Sequence, residues 1–326
     1  MIAEGSFTVV DEDCGARLDA ALLRHFPTTT RAFAREAAEG GRVFVSAPGG
    51  GEARPAAKGV KLRRGAVVTV RALLEESDNR VAPANLPRDA PFPAAVCFED
   101  ASLLAFDKPA GMPVQPLSCR ETGTLMNAVA ARWPECRGIG DAPLMAGALH
   151  RIDAGTSGLV LVARTAAAFD EMRRQFAAQT VEKTYLALVE GSVAAGGTLE
   201  NDLVHDPTVP FCRMIDAKDR RASGAGRALR PLHAVTRFSP IARTSAGNEE
   251  LTLLEVKIRT GVTHQIRAQL AIAGLHIVND RLYGAFAVED MAGHRLHALA
   301  AAFSHPESGC PTEIRTPFPE WARAAL

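Results

Sequence analysis

The sequence predicts an α+β protein in two domains, and three observations carry that prediction. Its 326 residues exceed the usual size of one domain. Segments alternating apolar and polar residues are interleaved with segments whose apolar residues recur at helical spacing, the mixture that a sheet covered by helices requires. Between residues 73 and 95 a polar run, Glu75-Glu76-Ser77-Asp78-Asn79-Arg80, gives way to Pro83, Pro87, Pro91 and Pro93 without an apolar period, the composition of a semi-extended linker. The expected division is a small domain over 1–72, a linker over 73–95 and a large domain over 96–326.

Composition narrows the function classes. A hydrophobic fraction of 47% is that of an ordinary globular chain. Cys14, Cys97, Cys119, Cys136, Cys212 and Cys310 are scattered and share no metal-ligand spacing, so they read as reduced thiols and no metal is expected. The N-terminus lacks the basic flank and apolar core of a signal peptide, and no run reaches membrane-spanning length; the expected location is the cytoplasm. A formal net charge of zero gives no general support for nucleic-acid binding, so any such surface must be local.

The first 72 residues supply that locality. Residues 15–72 hold eleven Lys and Arg against four Asp and Glu, the footprint of a surface that meets phosphate. Leu18, Leu22 and Phe26 recur at helical spacing and Pro27 ends the helix; Thr28 to Thr30 cap a second helix carrying Arg31 and Arg35. Gly40 to Val45 and Lys61 to Val70 read as turns running into strands. A structural reading, a charged face on a small α+β module, stands beside the RNA-binding one.

In the large domain, Val96 to Phe98 and Leu103 to Phe106 flank a polar turn and predict a hairpin. Thr124 to Trp133 predicts a helix, as does Thr165 to Gln179 with a core stripe of Phe169, Met172 and Phe176. Glu182 to Gly191 and Leu251 to Ile258 alternate as strands. Residues 201–248 are the least orderly part.

Two stretches carry chemistry. His150-Arg151-Ile152-Asp153-Ala154-Gly155-Thr156-Ser157-Gly158 places an acid in a turn that opens onto the apolar run 159–163, at the mouth of a core. On its own, Asp153 reads as a turn cap. Arg259-Thr260-Gly261-Val262-Thr263-His264-Gln265-Ile266-Arg267 feeds a helix that Gly274 is placed to end, with His264 and Arg267 on one face.

With both stretches in view, the chain resembles the RluA family of pseudouridine synthases. The pattern His-Arg-Leu-Asp-x-x-Thr-Ser-Gly-Leu is met except at Ile152, and Arg-Thr-Gly-x-Thr-His-Gln-Ile-Arg is met at 259–267. Asp107-Lys108-Pro109-Ala110-Gly111, the strand Glu182 to Gly191 and Asn279 to Gly284 match further elements, so the resemblance covers about 96 to 318. The chain departs from the pattern at Gln115, where the family has His, and at Asn279, where it has Gly. It departs again at Leu229-Arg230-Pro231, where an Ala-x-Thr strand is usual; a proline there predicts an altered edge strand or bulge. Arg17-Leu18-Asp19, Gly41 to Val45 and Leu62 to Gly65 resemble the alpha-L RNA-binding domain, with Arg17, Arg31, Arg35 and Arg42 as its RNA-binding cations.

The resemblance implies a mixed, mainly antiparallel sheet with helices packed on it and an RNA cleft. It implies a monomeric, cofactor-free isomerase that detaches uracil from its ribose, turns it and rejoins it through carbon 5. Asp153 would be the catalytic carboxylate and Arg267 the cation that keeps it charged, since burial favours a neutral acid. Arg151 would fill the space left by the flipped base, and Tyr185 would stack on it or help remove the carbon 5 proton. Ile266 would pack beneath the base, with Thr156, His150 and His264 in the substrate-binding wall. Both histidines are expected to act as hydrogen-bonding rather than acid–base groups. The expected partner is large-subunit ribosomal RNA, with transfer RNA as the alternative. A catalytically silent RNA-binding or assembly factor, and a hydrolase built on His150, Asp153 and Ser157, are the competing readings.

Overall fold

The structure, a computed structural model, describes residues 3–26, 37, 41–49, 51, 53–56, 60–72, 80–87, 90–209, 213–219, 230–247, 249–284 and 293–326. The chain divides into two compact units, Met1–Asp78 and Asn79–Leu326.

The first unit contains β1 (Ala3–Thr8), α1 (Leu18–His25), β2 (Val43–Val45), β3 (Arg54–Pro55) and β4 (Val67–Ala72), with the sheet in the order β1-β4-β2-β3. Leu18, Ala21 and Leu22, one face of α1, pack with Val43, Leu62, Val68 and Val70. Buried Asp13 receives Arg24 at 2.6 Å and His25 at 2.7 Å, which anchors the C-terminal end of the helix. Arg17 and Arg42 are exposed. Arg31, Arg35 and the second helix expected around them lie outside the described residues, as does Cys212.

The second unit is α+β around one large, mainly antiparallel sheet. Its elements are β5 (Ala95–Glu99), β6 (Leu103–Lys108), α2 (Leu125–Arg132), β7 (Ser157–Ala163), α3 (Ala166–Ala177), β8 (Glu182–Glu190), β9 (Gly197–His205), β10 (Met214–Asp216), β11 (Leu232–Ala246), β12 (Glu249–Ile258), α4 (Gln265–Ile272), β13 (Leu296–Ser304), β14 (Pro311–Arg315) and α5 (Glu320–Arg323). The strand order is β10-β9-β11-β12-β8-β13-β7-β6-β5, with β14 beside β13. Among the described strands only β7 and β13 run parallel. No described helix is long and apolar enough to cross a membrane.

Local chemistry sets the element ends. Thr124 caps α2 in a reciprocal box with Asn127, and Thr165 caps α3 by accepting from the Ala168 amide. Gly158, at φ +107, lets β7 run against β13: a Cβ there would meet the Ala298 backbone, its nitrogen at 2.6 Å. Asn279, which stands where the family pattern has Gly, takes φ +66, a conformation Asn tolerates better than most residues.

Three expectations change. Of the stretch read as linker, 73–79 lie outside the described residues, whereas 80–87 and 90–94 are irregular but docked on the second unit. Val81 is buried, Ala84 donates to Asn127 at 2.8 Å, and Phe92 stacks on Phe106. Pro231 causes no bulge: β11 begins at the next residue, where Leu232 pairs with Leu203, so the missing amide falls before the ladder starts. The register shift in β11 lies at Pro240 to Ala242. The stretch 201–248, read as the least orderly part, carries in its described residues the end of β9, then β10 and then β11, which is fifteen residues long.

Candidate active site

Asp153 follows the irregular residues 149–152 and is the first corner of a turn, with the Thr156 amide donating to its carbonyl at 3.0 Å. The turn is held from two sides. Lys108 is fully buried, and its Nζ donates to Pro109 O, Met112 O and Ala154 O at 2.9, 2.7 and 3.2 Å. Thr156 Oγ1 bonds His294 Nε2 at 2.7 Å, and Gly155 lies so near the His294 ring that a Cβ would sit 3.1 Å from it. The Asp153 side chain keeps 28% of its surface exposed.

Helix α4 delivers the opposing charge. Gln265 and Gln269, four apart, donate from Nε2 to Val235 O and Ala234 O of β11, both at 2.9 Å. Ile266 and Leu270 enter the core. That fixes the helix and leaves Arg267 between two acids. Its Nη1 donates to Asp153 Oδ2 at 2.7 Å, while Nε and Nη2 grip Asp280 at 2.7 and 2.8 Å in a bidentate pair. Asp153 Oδ1 accepts nothing from the described residues.

Burial works against the charges on Arg267 and Asp280, and their mutual bonds outweigh it: the guanidinium is pushed up and the Asp280 carboxyl held below its ordinary value. The Arg267 guanidinium also lies 5.2 Å from the centre of the Tyr283 ring. His264, in the left-handed region at φ 52 before α4, brings Nε2 to 3.7 Å from Asp153 Oδ2; burial pushes it toward neutrality. Tyr283 Oη accepts from the Met214 amide at 2.8 Å and lies 3.3 Å from His264 Nδ1.

Asp153, His264 and Arg267 border a cavity of about 340 Å³, at the small end of ligand pockets. Asp153, Arg267, Tyr185, Arg151, Ile266, Thr156 and His264, named from the sequence, all border it, and so does Gln115. Tyr185 is buried; that burial, and then the charge on Asp153, pushes its hydroxyl up, so the group is protonated at neutral pH. Arg151 is exposed at the mouth.

A family model described as RNA pseudouridylate synthase matches residues 102–272, a span that contains both Asp153 and Arg267. The chain belongs to the RNA pseudouridylate synthase family. Pseudouridine synthases are isomerases, and this synthase is one. It is similar to a Xanthomonas campestris pv. campestris protein named ribosomal large subunit pseudouridine synthase D, 33% identical over 96% of this chain and 88% of that one. The Bacillus subtilis protein YlyB, named as an RNA pseudouridine synthase, is 34% identical over 71% of each chain. The solved structure of human RNA pseudouridylate synthase domain containing 1 shares the fold, with a TM-score of 0.56 and 22% identity over 70% of this chain and 84% of that one.

One sequence-based assignment to this synthase needs correcting. His150 does not border the cavity: its Nε2 accepts from the Leu161 amide at 3.0 Å, its Nδ1 is buried without a partner among the described residues, and burial pushes its pKa down to about 3. It props the strand behind the site. The hydrolase arrangement is not assembled, because Ser157 Oγ bonds His297 Nδ1 at 2.8 Å and His297 in turn meets Thr316.

Sequence reasoning missed four contributors, Asp280, Tyr283, Lys108 and Lys183, the last of which also borders the cavity. All stand in stretches whose family match was visible, Asn279 to Gly284, Asp107 to Gly111 and Glu182 to Gly191. Their pattern gave no role without coordinates.

Proposed function

We propose that this isomerase converts uridines of large-subunit ribosomal RNA to pseudouridine, with Asp153 as the carboxylate that starts the reaction. The observation that carries the assignment is the Arg267 Nη1 to Asp153 Oδ2 bond at the wall of a nucleoside-sized cavity. A carboxylate whose Oδ1 has no partner among the described residues, held through Oδ2 by a cation that cannot lose its proton, is placed to act as a nucleophile.

The base leaves its stack to enter the cavity, with Arg151 at the mouth taking its place and Ile266 beneath it. Tyr185 stacks on the ring and brings its hydroxyl to the reacting edge. Thr156 and His264 hold the catalytic loop and the carboxylate from either side. His150 contributes at one remove, through strand β7. The ribosomal target is supported by the names of relatives that align along nearly the whole chain. The first 72 residues act as an alpha-L RNA-binding domain, supported by their local basic excess and by exposed Arg17 and Arg42. The enzyme works as a cytoplasmic monomer without a cofactor.

The test is tritium release from RNA labelled at carbon 5 of uridine, with wild type and Asp153→Asn side by side. Release by wild type alone is expected; equal silence on every RNA overturns the assignment in favour of a binding protein. Mapping pseudouridine in a deletion strain separates the targets. A missing ribosomal site supports the proposal, and a site missing only from transfer RNA replaces it.

A further inference from the structure

Lys183 stands on β8 two residues before Tyr185, so the two side chains leave the same face of the strand, and both line the cavity. The residue is only 7% exposed. Its Nζ donates to Thr260 O at 2.8 Å and lies 5.8 Å from the centre of the Phe176 ring. Among the described residues no carboxylate pairs with it. A cation withdrawn from water with a single carbonyl for a partner is costly to keep, and such groups cluster where a charge appears during function.

The surrounding charges say which charge that is. Three of the five N–H donors of Arg267 are taken, one on Nη1 by Asp153 and those on Nε and Nη2 by Asp280, and that cluster of one cation and two carboxylates is net negative. His264 is pushed toward neutrality and Arg151 is exposed at the mouth. When the N1–C1′ bond of an extruded uridine breaks, its electron pair passes to the ring and spreads onto O2 and O4. The anion forms beside carboxylates that repel it. An ammonium has three N–H donors and Thr260 takes one of those on Lys183, which leaves two for the ring.

We propose that Lys183 is a further catalytic residue whose ammonium binds a carbonyl oxygen of the extruded uracil and neutralises the charge the ring gains as N1–C1′ breaks. The same contact keeps the freed ring in the cavity while it turns. The ring spends that electron pair in the new C5–C1′ bond, carbon 5 loses its proton and N1 gains one. Lys183 keeps its own proton throughout, and nothing is oxidised or reduced. The inference rests on Asp153 acting in this cavity, which the Asp153→Asn comparison tests independently of Lys183.

The experiment is single-turnover tritium release from a ribosomal RNA transcript on which the wild type is active, with RNA affinity measured alongside for Lys183→Met and Lys183→Arg. The Met variant is expected to slow the reaction by about 100-fold, the scale of a lost donor to a developing oxyanion. Its RNA affinity should stay within about threefold of wild type, and Arg should recover most of the rate. Burial lowers Lys183 to about 8. The titratable and charged groups facing it are His150, Tyr185, Asp153, His264 and Arg267, with the Glu182–Arg259 pair at the adjoining rim. The wild-type rate should therefore fall as pH rises through about 8, and Lys183→Arg should lack that fall. A Met variant with near wild-type rate, a loss that Arg does not recover, or a fall in rate shared by wild type and Arg variant overturns the proposal.

Discussion

Arg267 and Asp153 are 114 positions apart in the chain and 2.7 Å apart at the site, and what fixes the distance is a third residue. Asp280, 1% exposed, takes donors on Nε and Nη2 and so sets the plane in which Nη1 reaches Asp153. Asp153 and Arg267 are thus two members of a three-residue array completed by Asp280.

Removing Asp280 should therefore act on both stability and rate. Asp280→Ala leaves a buried guanidinium with half of its partners, and should destabilise the fold by about 3 kcal/mol in urea unfolding. Misaiming Nη1 should slow tritium release by about 100-fold. The pH dependence has a definite sign. Burial alone would raise the Asp280 carboxyl, and the Arg267 bonds more than reverse this, so its folded value lies below the ordinary 3.8. As pH falls, the unfolded chain takes up that proton first, so this contribution is complete above the unfolded value and disappears as pH drops through the folded one. The acid limb of wild-type stability should be steeper than that of Asp280→Asn; identical limbs would contradict the array.

Asp153 and Arg267 were legible because each sits in a long stretch of defined residue types whose order survives in sequence. Asp280 was not, because its role exists only through Arg267, thirteen positions away across the end of α4. Lys183 read as an ordinary strand residue, since lysine on a strand is exposed by default; only coordinates place it in a buried wall. The strand β11 was hidden for a different reason. Its outer half alternates between half-buried and exposed positions, and Arg237, Pro240 and Arg243 interrupt any apolar period. Residues 80–87 and 90–94 looked like a linker because prolines punctuate them without an apolar period, while Val81, Phe92 and the Ala84–Asn127 hydrogen bond dock them.

Gly158 supplies a prediction about the loop. Alanine there would combine φ +107 with a Cβ driven into the Ala298 backbone, so Gly158→Ala should cost about 3 kcal/mol of stability and displace the turn that carries Asp153. Gly191→Ala is the control. It shares a positive φ, +86, but has nothing within 4 Å of the new methyl, and should cost only about 1 kcal/mol. Equal costs, read from urea midpoints, would show that strain alone matters and the β7–β13 contact does not.

For Tyr185 the hydroxyl and the ring separate experimentally. The hydroxyl stands close enough to Asp153 for that charge to help push it up. Tyr185→Phe keeps the stacking surface and removes the proton carrier, so RNA affinity should hold while tritium release slows by about 100-fold or more, the range of a lost acid–base group. Tyr185→Ala should lose affinity for the extruded base as well. A Phe variant of full activity would confine Tyr185 to stacking.

The first unit predicts a salt dependence. Arg17 donates to Asp19 at 3.0 Å on an exposed surface, a pairing worth little in water, so exchanging Asp19 for a phosphate costs almost nothing. If Arg17 and Arg42 each meet a phosphate, as proposed, then Arg17→Gln and Arg42→Gln should weaken RNA binding to a similar extent whatever the sequence. Each should also lower the slope of log affinity against log salt by about 0.7 to 0.9. Asp19→Asn should do the reverse and tighten binding, because it removes the competing carboxylate. The single-turnover rate at saturating enzyme should not move in any of the three, since the reacting groups all belong to Asn79–Leu326. Measuring affinity across a salt series for the three variants decides it: unchanged slopes in the Gln variants would remove these arginines from the RNA surface and leave the basic excess of the first 72 residues as a solvated face.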